Sequence, residues 1–483
     1  MTNSTEKKIV IVGGGISGLA AAFRLKNLAI QSGNANSKVL LLESSQKLGG
    51  VLQTEHLDGY VVEQSADMFT TDPSAAIELC RQLGKEDQLL QTIPTPDRAY
   101  VATEDNYHPV PRGFSLMAPG NMQAILESPL LSDEDKQRFL EEENTPAADN
   151  HADSNGVDES LESFAVRRFG RAMFEKLIQP LASGIYTADP KKLSMNATMQ
   201  RFIDMEREHG SLIKAAAHAR SNARSKMDEQ ASGARYGLFR APQSGIGQIV
   251  DWIVEDLNQH KNIVEIRTGC PVNSISKSEN QWEFNIGSSE TITSDGVVVA
   301  TPAKPAAQLV STFDKRMADQ LSQIKAASSA IVILGVDASQ LGKNFEGYGI
   351  ITPTILGRKT IALSFASNKF PGRAPAGKIL IRCFIGGAMQ SELVDLNDQS
   401  LIKIATDELN QTVGFRGRPE MTKVVRWRHC MPQYQLGHLD RVTKIDELAQ
   451  QHAGFEIAGN SYRGVGIPAC IQSGIDAANR VSS

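Results

Sequence analysis

The run KKIVIVGGGISGLAAAFRLKNLAI, residues 7–30, restricts the folds open to this chain more than any other stretch. Residues 9–12 are β-branched and apolar without interruption, the pattern of a strand buried on both faces, and residues 16–30 carry apolar side chains at helical spacing. Between them lies Gly13-x-Gly15-x-x-Gly18. The glycines allow a tight turn, close backbone approach to a pyrophosphate and close packing of helix on strand, while the helix N-terminus offers free N–H groups and a positive dipole end. A second strand, KVLLLE, ends at Glu43, whose carboxylate can accept hydrogen bonds from ribose hydroxyls. Strand, loop, helix, strand and terminal acid in that order predict an α/β sheet that binds a dinucleotide at its first turn.

A second tight turn of the same kind stands near the other end of the chain. GNSYRGVGIPACIQSG, residues 459–474, places Gly464 and Gly466 in front of a helical tail, after a short strand at GFEIAGN. The Gly49-Gly50 pair after Glu43 resembles the second glycine signature of the flavin amine oxidase superfamily, and a flavin needs its phosphates held at one end and its ring at the other, so a domain assembled from distant segments explains both turns. The helix that follows the late turn points its N-terminus at the charge that develops around N1 and O2 of a reduced flavin.

Composition narrows the partners. The 483 residues are 41% hydrophobic and 22% charged, enough apolar material for two or three cores, and the net charge of -5 gives no bulk attraction for nucleic acid. Five cysteines, odd in number and without CxxC spacing, suggest neither a disulfide framework nor a metal site, and fit reduced thiols in a cytoplasm. No apolar run approaches the roughly 18 to 20 residues needed to span a bilayer, so any membrane contact is expected to be peripheral. The segment SLIKAAAHARSNARSK, with Lys214, Arg220, Arg224 and Lys226 among small apolar residues, is the candidate for meeting anionic headgroups on the inner face of a membrane, and a solvated helix face is its rival. Residues 141–160 carry seven acidic side chains and no Lys or Arg, which predicts a solvated loop.

Four spaced segments carry a resemblance that covers nearly the whole chain: FGRAMFEKLIQPLASGIYTADPKKLSM (169–195), MEREHGSLI (205–213), WRHCMPQYQLGH (427–438) and GNSYRGVGIPACI (459–471). With the Gly49-Gly50 pair and the hairpin-like DGYVVEQSADMF after Glu43, the sequence resembles the flavin-dependent protoporphyrinogen and coproporphyrinogen oxidases of haem biosynthesis, within the flavin amine oxidase superfamily. The resemblance implies a discontinuous Rossmann-like FAD-binding domain of α/β class (1–90, 229–305 and 440–483), a mainly antiparallel substrate-binding domain (91–115 and 306–439) and an inserted helical domain (116–228). It implies FAD contacts at Gly13, Gly14, Gly15, Ile16, Ser17, Gly18, Glu43, Ser44, Gly50, Gln64, Ser65, Ala66, Asp67, Val272, Trp427, Val465, Gly466, Ile467 and Pro468. Two local departures stand out: QSAD after Glu63, where the family usually has Gly-Pro, and Ala469, where an acid is common.

The implied reaction is removal of six electrons from a porphyrinogen, two at a time, with dioxygen as acceptor and a tetrapyrrole as the substrate. No dedicated base is required, because pyrrole N–H protons can pass to water and orientation over the flavin does the rest. His438 is the tempting base, and a hydrogen-bonded structural histidine is the stronger reading. By resemblance the cavity is lined by Gly184, Ile351, Ile361, Leu363 and Phe384, with core packing the rival for the apolar residues, and Arg98 binds a propionate, with a surface pair to Asp97 or Glu104 as its rival. The sequence leaves open protoporphyrinogen against coproporphyrinogen and monomer against homodimer. It also leaves an amine oxidase or carotenoid desaturase, and a non-catalytic porphyrin-binding flavoprotein, as alternatives.

Overall fold

The computed structural model describes residues 7–33, 37–148, 158–221, 239–278 and 281–483. Its first layer is a five-stranded parallel sheet in the spatial order Val264–Arg267, Lys38–Leu42, Lys8–Val12, Gly296–Val299, Phe455–Ile457. Val10, Ile11, Leu41, Val297 and Val298 are fully enclosed because both faces are covered. Helices Ile16–Gln31, Gln248–Asn258 and Ile467–Ser482 pack on one face, and Ala303–Val310, Lys315–Gln323 and His438–Ala449 on the other. The last helix lies against the first so closely that a Cβ on Gly474 would sit 2.1 Å from the Ser17 carbonyl oxygen. Ser17 Oγ donates to the Cys470 carbonyl at 2.8 Å, which brings the two glycine turns together.

The second layer is a seven-stranded sheet ordered Met421–Pro432, Ala326–Asp337, Lys378–Gly386, Thr360–Phe365, Gly349–Ile351, Ala99–Ala102, Tyr107–Pro109. All its pairings are antiparallel except Gly349–Ile351 with Ala99–Ala102. Side chains alternate across it. Val332, Leu334, Phe365, Ile381 and Cys383 fill the core under helix Asp398–Val413, whereas Ile331, Ile333, Phe384 and Trp427 turn to the hairpin Thr54–Leu57/Tyr60–Glu63.

The described residues between Met122 and Ser221 form mainly helices, around a core that includes Phe139, Phe164, Phe169, Leu177, Met195 and Phe202. Residues 141–144 correct the expectation of a solvated loop over 141–160, of which 149–157 lie outside the described residues. Glu142 is fully buried in a 3₁₀ turn, Glu141–Asn144. Its carboxylate pairs with buried Arg168, and it accepts the N–H groups of Leu212 (2.9 Å) and Ile213 (3.2 Å) at the start of helix Leu212–Ser221. Arg168 also reaches Glu206, at 3.1 Å, and the carbonyls of Thr145 and Gly210. A carboxylate bonded to a helix N-terminus and an arginine tolerates burial that an isolated one does not. No described helix is long and apolar enough to cross a membrane. Lys214 Nζ and Arg220 Nη1 donate to the carbonyls of Glu143 and Gly120, while Arg224 and Lys226 fall outside the described residues.

Candidate functional site

The first glycine turn forms as its residue types require. Gly13 adopts φ +110, and a Cβ on Gly18 would stand 1.9 Å from the Gly13 carbonyl oxygen. Gly15 faces open space, with no atom within 4 Å of where its Cβ would be. The helix it starts has no side-chain cap and no acidic residue in its first turn, so its N–H groups and positive end face that space. Glu43 is fixed beside the turn: Oε2 accepts Gly14 N–H at 2.7 Å, and Oε1 accepts Ser45 N–H at 2.8 Å and the Ser44 hydroxyl at 3.2 Å. The second glycine pair lies alongside, with Gly49 N–H on the Gly14 carbonyl at 2.8 Å. Val272, half-buried, opens the strand Val272–Ser278, and Cys270 N–H, at 2.8 Å from the Glu43 carbonyl, anchors its approach.

The Gln64–Asp67 turn is held from several sides. Trp427 Nε1 donates to the Gln64 carbonyl at 2.6 Å, and Ser65 Oγ to the Val51 carbonyl at 2.6 Å. Ser65 therefore ties the turn back to the segment after Gly50, which gives one residue of the QSAD departure a structural role. Arg382 donates to the Ser65 carbonyl, and Asp67 Oδ2 is shared by Lys369 Nζ at 2.9 Å and Arg382 Nη1 at 3.0 Å. Burial by itself would raise the Asp67 carboxyl, but the Lys369 and Arg382 charges reverse that and hold it well below the usual carboxylate range. Glu63, the fully buried last residue of strand Tyr60–Glu63, goes the other way: burial pushes it up to about 7, against the opposing hydrogen bond from Thr54 Oγ1.

The late turn is braced by residues from the preceding strand and helix. Gly464 has φ +145, and its N–H donates to Tyr434 Oη at 2.7 Å, which itself donates to the Asn460 carbonyl at 2.6 Å. The Tyr434 ring stacks on His438 at 4.0 Å, and His438 Nε2 bonds the Tyr462 carbonyl at 2.8 Å. His438 is fully buried, and burial lowers its pKa, so it is a structural histidine that supports this turn and not a base facing a substrate. Val465 packs against the helical core, and Gly466 caps helix Ile467–Ser482, which has Pro468 in its first turn and no side-chain cap or acid there. Ala469 lies 2.6 Å from where a Gly464 Cβ would stand, so the turn and this small residue fit together.

Helix Gln179–Tyr186, the segment after strand Gly349–Ile351 and the start of strand Thr360–Phe365 border a small cleft open to solvent, while Phe384 faces the hairpin Thr54–Leu57/Tyr60–Glu63 and is not among the residues that line it. A Cβ on Gly184 would meet Ile351 Cγ2 at 4.0 Å, and Ile361 lines the cleft with Gln179, Ser183, Thr187, Thr352 and Thr360. These hydroxyls depart from the apolar cavity expected from the sequence; Thr187 Oγ1 is buried without a hydrogen-bond partner among the described residues. Leu363 is not brought here. It is 1% exposed in the core under Asp398–Val413, on the opposite face, because a bulge between Thr360 and Ala362 resets the alternation. Arg98 is half-buried at the entry to strand Ala99–Ala102, and its carbonyl accepts Tyr348 N–H at 2.7 Å. Its expected rival partner Asp97 is engaged by Arg112 at 3.0 Å, and Glu104 offers its carbonyl to Arg358. Lys369, Arg382 and Glu63 were missed in the sequence; a lone arginine inside the apolar strand KILIRCFIGG was the available signal.

Residues 16–482 match the family model of flavin-containing amine oxidoreductases. The chain belongs to that family. It binds FAD, and the open space beside Gly15 at the uncapped N-terminus of helix Ile16–Gln31 fits a pyrophosphate. The chain is 32% identical to a coproporphyrinogen III oxidase of Bacillus subtilis (strain 168), over 97% of this chain and 96% of that one. It is 25% identical to a mitochondrial protoporphyrinogen oxidase of Nicotiana tabacum, over 100% and 96%. A crystal structure described as a protoporphyrinogen oxidase from Exiguobacterium sp. 255-15 superposes with a TM-score of 0.84, at 25% identity over 98% of each chain.

Proposed function

We propose that this family member oxidises coproporphyrinogen III to coproporphyrin in haem biosynthesis, with dioxygen as the electron acceptor. The observation that carries the reading is the full-length likeness to the Bacillus subtilis coproporphyrinogen III oxidase. The hydroxyl-rich cleft favours that substrate over protoporphyrinogen IX, because coproporphyrinogen carries propionates where protoporphyrinogen carries vinyl groups, and carboxylates use hydroxyl donors that vinyls leave unpaired.

FAD is held in this reading by Gly13 to Gly18, Glu43 with Ser44, Gly50, Gln64 to Asp67, Val272, Trp427 and Val465 to Pro468. Bound FAD supplies a two-electron acceptor, used three times per macrocycle. The chain's own part is placement: Ile351, Ile361 and Phe384 exclude water along the ring, Gly184 leaves room for it, and Arg98 pairs with a propionate through its planar fork. The N–H protons released as conjugation forms pass to water, so no side chain needs to hold them. Six hydrogens leave the substrate, and three dioxygen molecules become three of hydrogen peroxide. Peripheral contact with anionic headgroups belongs to the proposal through the basic segment that begins at Lys214, and co-sedimentation with anionic liposomes at low salt tests it.

Aerobic turnover with each porphyrinogen tests the substrate. Coproporphyrinogen III should be converted with a kcat/KM well above that of protoporphyrinogen IX, with peroxide formed at three per porphyrin. A preference for protoporphyrinogen IX overturns the substrate choice, and oxidation of simple amines or polyenes in place of either would move the chain to the amine oxidase or desaturase alternative.

A further inference from the structure

The region under the Gln64–Asp67 turn holds more positive than negative charge, and nearly all of it is out of water. Arg382 and Arg373 are each 1% exposed and Lys369 is 7% exposed. Arg382 and Lys369 share a single carboxylate oxygen, Asp67 Oδ2. Arg373 donates to the carbonyls of Gln243 and Pro242, and those bonds neutralise none of its charge. Glu63 is the other acid of the region, and it resists ionisation because its carboxyl is pushed up to about 7. Arg382 Nε is enclosed with no hydrogen-bond partner among the described residues. Buried charge in excess costs several kcal/mol unless an anion meets it.

Arg382 also donates to the Ser65 carbonyl, so its charge is docked on the backbone of the turn. We propose that Arg382 and Lys369, docked on Asp67 beneath the Gln64–Asp67 turn, form a buried cation pair that stabilises the reduced, anionic flavin and raises its electron affinity. They act as positioning residues for charge and do not touch the porphyrinogen. The proposal rests on FAD lying against this turn and on nothing about the substrate. It accounts for an arginine in an otherwise apolar sheet face, where Phe384 packs 5.1 Å from the Arg382 guanidinium, and for the lysine that ends helix Ala366–Lys369 being turned onto the same carboxylate.

The test uses FAD-loaded protein without any porphyrinogen, so it is independent of the substrate assignment. Sulfite, which adds to flavins more tightly when positive charge lies beside the ring, is the probe, and the midpoint potential is the second readout. Arg382→Met and Lys369→Met should each weaken sulfite binding about tenfold and lower the midpoint potential by about 30 mV, the two-electron equivalent of tenfold. Arg382→Lys, which restores charge, should return both toward wild type. If Arg382→Met loses FAD, Lys369→Met decides, because it leaves the Ser65 tie intact. Unchanged sulfite affinity and potential in a flavin-loaded methionine variant would overturn the proposal.

Discussion

Replacing Gly184 by alanine separates the cleft's role in catalysis from its role in stability. Gly184 lies inside helix Gln179–Tyr186 and is solvent-exposed, and it is not among the glycines with positive φ. An added Cβ meets only Ile351 Cγ2, at 4.0 Å, which is ordinary van der Waals contact. Glycine in a helix interior costs about 0.5 to 1 kcal/mol relative to alanine, and proximity to the helix end puts the expected gain near the lower figure. Gly184→Ala should therefore raise the urea midpoint slightly and leave flavin content unchanged. The same methyl removes room opposite Ile351 from a tightly fitted macrocycle. One methylene in a fitted pocket is worth about 1 to 3 kcal/mol, so kcat/KM for coproporphyrinogen should fall at least tenfold. Steady-state kinetics beside urea unfolding measure both quantities on one preparation. A more stable variant with unchanged kcat/KM would refute the placement of substrate in this cleft.

Arg98→Ala should lose about 1.5 to 3 kcal/mol of substrate binding, read as a KM raised roughly ten- to hundredfold with flavin content intact; unchanged kinetics would assign the propionate to another cation. Arg168→Met leaves two buried carboxylates short of a partner, but Glu206 keeps Arg167 at 2.6 Å and Glu142 keeps Leu212 N–H at 2.9 Å, so the loss in urea unfolding should be about 3 kcal/mol, the low end for a broken buried pair. Glu63 gives a pH signature: its carboxyl rises from 4.5 to about 7 on folding, so the folded state binds the extra proton and stability falls as pH rises from about 4.5 to about 7. Glu63→Gln should remove roughly 3 kcal/mol of that slope, gaining on wild type at pH 8 and matching it near pH 4.5, and parallel pH profiles would show that Glu63 does not titrate there.

Local chemistry made part of this molecule readable in advance. Gly13, Gly15 and Gly18 between a strand and a helix leave few backbone solutions, and Asp58-Gly59 marked the turn of the hairpin, with φ of 49 and 82 at those two residues. Gly464 signalled its own left-handed turn in the same way. What stayed hidden depends on partners far along the chain. Glu142 sits in an acidic run that looks solvated by composition, yet it is buried by Arg168 and by the N–H groups of Leu212 and Ile213. Asp67, Lys369 and Arg382 meet only because the hairpin packs on the seven-stranded sheet, and nothing within any one segment announces that contact. Leu363 failed for a smaller reason: alternation tells faces apart only while it is unbroken, and the bulge at Thr360/Ala362 breaks it.

Anaerobic mixing of the purified, FAD-loaded protein with coproporphyrinogen III tests the central claim most directly. The account predicts that the oxidised flavin absorbance bleaches while porphyrin absorbance grows, and that admitted dioxygen restores the flavin. A flavin that stays oxidised in the presence of excess coproporphyrinogen III would contradict it and leave the chain a flavoprotein that does not oxidise this substrate.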